Sequence, residues 1–85
     1  MEKRIAIMGI IVENRDNIME LNELLHEHGE SVIGRMGIPF REERLNVISV
    51  VLCAPQEEID ELAAKVEKIP GVNVKVTNST KVVSE

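Results

Sequence analysis

Two stretches of this 85-residue chain, IAIMGIIV at 5–12 and LNVISVVLCA at 45–54, are apolar at odd and even positions alike. In an extended strand, successive side chains point to opposite faces. In the first stretch Ile5, Ile7 and Ile11 therefore lie on one side, and Ala6, Met8, Ile10 and Val12 on the other. In the second, Leu45, Val47, Val51 and Cys53 oppose Ile48, Val50 and Leu52. Strands of this kind belong in the middle of a sheet, with something dry on each side. That requirement limits the fold more than any other feature of the chain.

The remaining segments supply the partners. Ile18, Leu21, Leu25 and His28 recur at helical spacing, with Leu24 widening the stripe, and Asn14 or Asp16 is placed to cap the start. Gly29 is expected to end this helix in a left-handed conformation. Ile59, Leu62, Ala63, Val66 and Ile69 form a second stripe. Pro55 is expected at its first position, acids fill its early turns, and Lys65 and Lys68 lie near its end. Pro70-Gly71 stops it, and VNVKVTNS then alternates, with Val72, Val74 and Val76 inward. The stretch from Ser31 to Phe40 contains GRMGIPF, poor material for a central strand but tolerable at an edge, where a bulge or a missing amide donor does little harm. The order is β-α-β-β-α-β, an α+β ferredoxin-like fold. It predicts a four-stranded antiparallel sheet of order 4-1-3-2 with both helices on one face. A single domain spans 1–79, and 80–85 form a loose tail.

Two helices cover one face of such a sheet, which leaves the second apolar face of the central strands in water. Each large aliphatic side chain buried there is worth about 1.5–3 kcal/mol. A chain of this size buries only about 60% of its unfolded surface by itself. The expected outcome is a homo-oligomer, a dimer or higher, joined through the sheet. Net charge is −5, with acids and bases interleaved and a single aromatic residue, Phe40, so direct nucleic-acid binding is not expected. No apolar run is long enough to span a membrane and no signal-peptide pattern is present, so a cytoplasmic location is expected.

Candidate chemistry is sparse. His26 and His28 are two apart on a helix and diverge, which argues against a shared metal. Cys53, the single cysteine, reads as a buried core thiol. Arg15, with Asn14 and Asn17 after the first strand, could hold an anion, although the loop ENRDN has no glycine and carries Glu13 and Asp16. Arg41 and Arg44 flank Glu42 and Glu43 and are placed to pair with them. Gly34, Arg35, Met36 and Gly37 either mark a kinked edge strand or leave room for a ligand or a neighbouring subunit.

The segments RIAIMGIIVENRD, SVIGRMGIPFRE, LNVISVVLCAP and KIPGVNVKV together resemble a family of small proteins described as regulators of the iron-only hydrogenase system. That family is ACT-like and similar to the C-terminal domain of nickel-responsive regulators. The resemblance implies an oligomeric module that senses a small effector or binds a partner protein. By the same analogy, effector or partner contacts fall at Asn14, Arg15, Gly34, Arg35, Met36 and Gly37. The chain departs from the nickel regulators in having no segment left for a DNA-binding domain and no strand-borne histidine set. Neither a metal nor another cofactor is therefore expected. Two alternatives stand beside this reading: a pure interaction subunit without a ligand, and a small phosphate-handling enzyme using Arg15, as acylphosphatases of this architecture use an arginine.

Overall fold

The computed structural model describes residues 2–83. Its elements run β1 (Lys3–Val12), a 3-10 turn at Arg15–Asn17, α1 (Ile18–Glu27), β2 (Val32–Phe40), a second 3-10 turn at Arg41–Glu43, β3 (Leu45–Ala54), α2 (Gln56–Glu67) and β4 (Val72–Val83). The strands form one sheet in the order β2-β3-β1-β4, which is the expected 4-1-3-2 read from the other edge, and every neighbouring pair is antiparallel. The doubly apolar segments are the two central strands.

The core lies between one face of this sheet and the two helices. Ala6, Met8, Ile10 and Val12 of β1 and Ile48, Val50, Leu52 and Ala54 of β3 are buried against Leu21 and Leu25 of α1 and Ile59, Leu62 and Val66 of α2. The period of 2 in the strands and the helical period in α1 and α2 thus meet on one set of residues, as a two-layer domain requires. No side-chain polar atom is buried without a partner among the described residues. No helix among them is long and apolar enough to cross a membrane.

Two turns lock one end of the sheet. The Asp16 amide donates to Asn14 Oδ1 at 3.0 Å, so Asn14 caps the 3-10 turn that leads into α1. The Glu13 amide donates to the Gly71 carbonyl at 2.7 Å, and Asn17 Nδ2 to the Pro70 carbonyl at 2.6 Å. Gly71 has φ +75°, and a Cβ there would sit 2.7 Å from Asn14 Cβ. Only glycine satisfies both the backbone conformation and the close approach.

Three local expectations need correction. Gly29 is not left-handed; its amide donates to the His26 carbonyl at 3.0 Å, and a Cβ would lie 3.1 Å from that oxygen, so close approach is what favours glycine. Pro55 is the N-cap of α2, one position earlier than expected, with φ −60° and ψ 148°, and its carbonyl accepts from the Glu58 and Ile59 amides. The supposed loose tail is strand through Val83. Val82 pairs with Arg4 and Val83 with Lys3, a bulge between Arg4 and Ala6 restores the register, and the Arg4 guanidinium donates to the Thr80 carbonyl at 2.7 Å. Residues 84 and 85 of that tail lie outside the described residues.

Candidate functional site

The face of the sheet away from the helices carries the strongest signal. Antiparallel pairing aligns its side chains in rows that cross the strands. One row is Ile38–Val47–Ile11–Asn73, the next is Met36–Ser49–Gly9–Lys75, and the third is Gly34–Val51–Ile7–Thr77. Ile7, Ile11, Met36, Ile38, Phe40 and Val47 are 49%, 43%, 61%, 54%, 47% and 41% exposed. On β1 and β3 the neighbours one position along, such as Met8 and Ile48, are buried, whereas β2 is exposed on both sides from residue 33 onward. Because Gly9 and Ser49 carry little side chain, the middle row is a trough between two aliphatic ridges. It opens into a groove of about 530 Å³ bordered by Gly9, Ile11, Val47, Ser49, Asn73 and Lys75.

No strand residue facing this side is acidic, although the chain has 15 acids. Two carboxylates from outside the strands reach its border: Glu13 in the loop after β1, which accepts a hydrogen bond from Asn73 Nδ2 at 2.5 Å, and Glu67 at the end of α2, which also lines the groove. Cys53 pairs with Ile5 on this side and is half-buried, so the expectation of a core thiol is corrected. Its register places it with Val51 and Val47 rather than with the helix-facing residues.

The six candidate residues do not converge. Asn14 and Arg15 border a cavity of about 720 Å³ together with Glu13, Asp16 and Arg44. Arg44 reaches it from the turn before β3, where it adopts a left-handed backbone with φ 57°. Neither arginine forms an ion pair among the described residues, and the expected pairing of Arg41 and Arg44 with Glu42 and Glu43 is likewise absent there. Arg35 turns to the helix side and donates to Asn22 Oδ1, closing a smaller cleft of about 270 Å³ that His26 also borders. Gly34 and Met36 lie in the exposed rows, while Gly37 pairs with Ile48 on the helix side. A Cβ at Gly34 or Gly37 would meet nothing within 4 Å, and neither has a positive φ, so nothing within one chain requires glycine at either position.

His26 borders the cleft beside Arg35, and no group of three or more His, Cys, Asp or Glu that could hold a metal occurs among the described residues. His28 instead turns toward α2. Its Nδ1–H donates to Glu58 Oε2 at 3.0 Å, and Ser31 Oγ donates to the same oxygen at 2.6 Å. These two bonds, the one from His28 the stronger, hold the Glu58 carboxyl below its ordinary value of 4.5. The trio ties the end of α1 to the start of α2. Sequence reasoning missed Gly9 and Ser49 as a pair, and Arg44 as a neighbour of Arg15, because both meetings depend on cross-strand register and turn geometry.

Comparison with known proteins agrees with this architecture. Residues 4–76 match the TM1266-like family model, described as "Iron-only hydrogenase system regulator, putative". The structure of the uncharacterized protein TM1266 from Thermotoga maritima is similar at a TM-score of 0.87 and 37% identity, over 91% of this chain and 98% of that one. Two more distant structures share the fold alone. A formyltetrahydrofolate deformylase from Pseudomonas putida KT2440 has a TM-score of 0.62 at 16% identity, covering 86% of this chain and 28% of that one. An unknown protein from Galdieria sulphuraria has a TM-score of 0.63 at 11% identity, covering 96% and 48%. No curated protein matches the chain. A family model spanning nearly the whole sheet-and-helix unit, joined to a structural match over 91% of the chain, shows that the chain belongs to the TM1266-like family of iron-only hydrogenase system regulators.

Proposed function

We propose that the chain is a non-enzymatic, cytoplasmic regulatory module that works as a homo-oligomer, with its exposed sheet face covered by another copy. The family supplies the context, the iron-only hydrogenase system. The observation that carries the reading is the aliphatic sheet face opposite the helices, whose strand residues include no acid. Contiguous apolar surface of this kind marks an interaction site, and depletion of charge is the compositional mark of an interface core. A small effector or a partner protein would regulate by binding one arrangement of copies more tightly than another. The cavity at Asn14 and Arg15, where two arginines face two carboxylates, and the cleft beside Arg35 are the polar places such an effector would occupy, whereas Gly34 and Met36 belong to the self-association surface and Gly37 adjoins it.

Thermal unfolding measured across a range of protein concentrations, with and without amino acids, nucleotides and divalent metals, tests this. Self-association makes Tm rise with concentration, and a ligand at 100 times its Kd adds about 2.7 kcal/mol. A Tm independent of concentration contradicts the oligomer. A rise with concentration but with no compound stabilising the chain favours a pure interaction subunit. The enzyme alternative is less well supported, since Arg15 shares its cavity with two carboxylates and no glycine cradle. Turnover of acetyl phosphate that is lost in Arg15→Ala would revive it.

A further inference from the structure

A surface that must meet its own copy has to be complementary to itself, and the exposed face has the features for this. A ridge, Ile11–Val47, lies directly beside a trough, Gly9–Ser49, on the same two strands. At the β2 edge, bulky Phe40 lies three rows from side-chain-free Gly34. At the β4 edge, Lys75 lies one row from Asn73, which holds the Glu13 carboxylate.

Building on the homo-oligomer reading above, we infer that two copies meet face to face about a two-fold axis that crosses the strands between these rows, so that the Ile11–Val47 ridge of each fills the Gly9–Ser49 trough of the other. A two-fold interface is isologous: if one row of the first copy lies on a second row of its partner, the converse holds as well. An axis across the strands leaves each strand over its own counterpart. The apolar β2, β3 and β1 then lie on one another and β4 forms the rim. An axis along the strands would instead set the apolar β2 over the polar β4.

Shape admits either neighbouring ridge, Ile11–Val47 or Ile7–Val51, into the trough, and charge selects the first, because the second would set Lys75 over uncharged Thr77. The first sets Ile11 over Gly9, Val47 over Ser49 and Phe40 over Gly34, each a large group against a small one, while Ile38 meets Met36 as a large pair on β2. Lys75 then faces Asn73 and the carboxylate beside it rather than a second Lys75. An axis running along the trough itself would leave two grooves face to face and empty, and would oppose the two lysines. Packed sheets cross at about 30°, so the match is closest near the axis and loosens toward the rim. The arrangement also gives Gly34 a purpose that a single chain does not.

The test is to fill the trough. A Cβ on Gly9 would come no nearer than 3.9 Å to the Lys75 carbonyl oxygen, and its φ is not positive, so Gly9→Leu is compatible with the folded single chain. Sedimentation of the unmodified chain, of Gly9→Leu and of Gly9→Leu/Ile11→Ala is compared, with circular dichroism confirming that each is folded. The expected result is a dimer for the unmodified chain, a dissociation constant raised at least tenfold by Gly9→Leu, and recovery of most of that loss in the double variant. A Gly9→Leu chain that dimerises as tightly as the unmodified one overturns the inferred packing and leaves the homo-oligomer standing. Failure of Ile11→Ala to restore a dissociated Gly9→Leu chain also overturns it. An unmodified chain of single-chain mass overturns the homo-oligomer itself and this packing with it.

Discussion

The two faces of β1 and β3 are built from the same residue types and have opposite fates. Met8, Ile10, Ile48 and Val50 disappear beneath α1 and α2, while Ile7, Ile11 and Val47, one position away on the same strands, stay in contact with water. The covered face accounts for how one chain holds together. The other face contributes little to that, and its strand residues include no acid. One chain alone thus buries only one of the two apolar faces of its central strands, and the proposed function lies on the side the helices leave free.

Substitutions that treat the two faces alike should separate them most. Met8→Ala removes a fully buried side chain and should destabilise the folded chain by about 2–5 kcal/mol in urea unfolding. Ile7→Ala, on the exposed side, should alter the stability of the dilute chain by less than about 1 kcal/mol. Equal losses at the two positions would erase the contrast. A smaller effect is expected at the locked turns, where Gly71→Ala forces a left-handed backbone and a clash with Asn14. A loss of about 2 kcal/mol in the same assay is expected, from steric and conformational strain together.

Smaller still is the tie between the helices on the covered side. Folding lowers the Glu58 pKa, so the contribution of this carboxylate is complete above the unfolded value near 4.5 and is lost as pH falls through the lower folded value. Glu58→Gln should destabilise by about 1 kcal/mol at pH 7 and should flatten the decline in stability below pH 4.5. An unchanged acid limb in this variant would remove Glu58 from the account.

Much of this architecture is legible in the residues. The doubly apolar segments identify the central strands, GRMGIPF the edge, and the stripes on α1 and α2 the single covered face. What escapes is set by relations between distant segments. Gly9 and Ser49 form a trough only because the register places them side by side, and Arg15 meets Arg44 only because two turns close at the same end of the sheet. Residues 80–83 carry no burial pattern that would announce a strand; they join the sheet because β1 extends to Lys3 and Arg4 holds the Thr80 carbonyl. Gly29 illustrates a different limit, since a glycine demanded by a nearby carbonyl looks the same in sequence as one demanded by a left-handed turn.

The proposed homo-oligomer keeps the face away from the helices dry in solution by laying a second copy on it. Light scattering of the unmodified chain at micromolar concentration tests this most directly. A covered face requires a mass of at least twice the 9.5 kDa of one chain, falling toward the single-chain value only on dilution. A mass of 9.5 kDa at every micromolar concentration would contradict it.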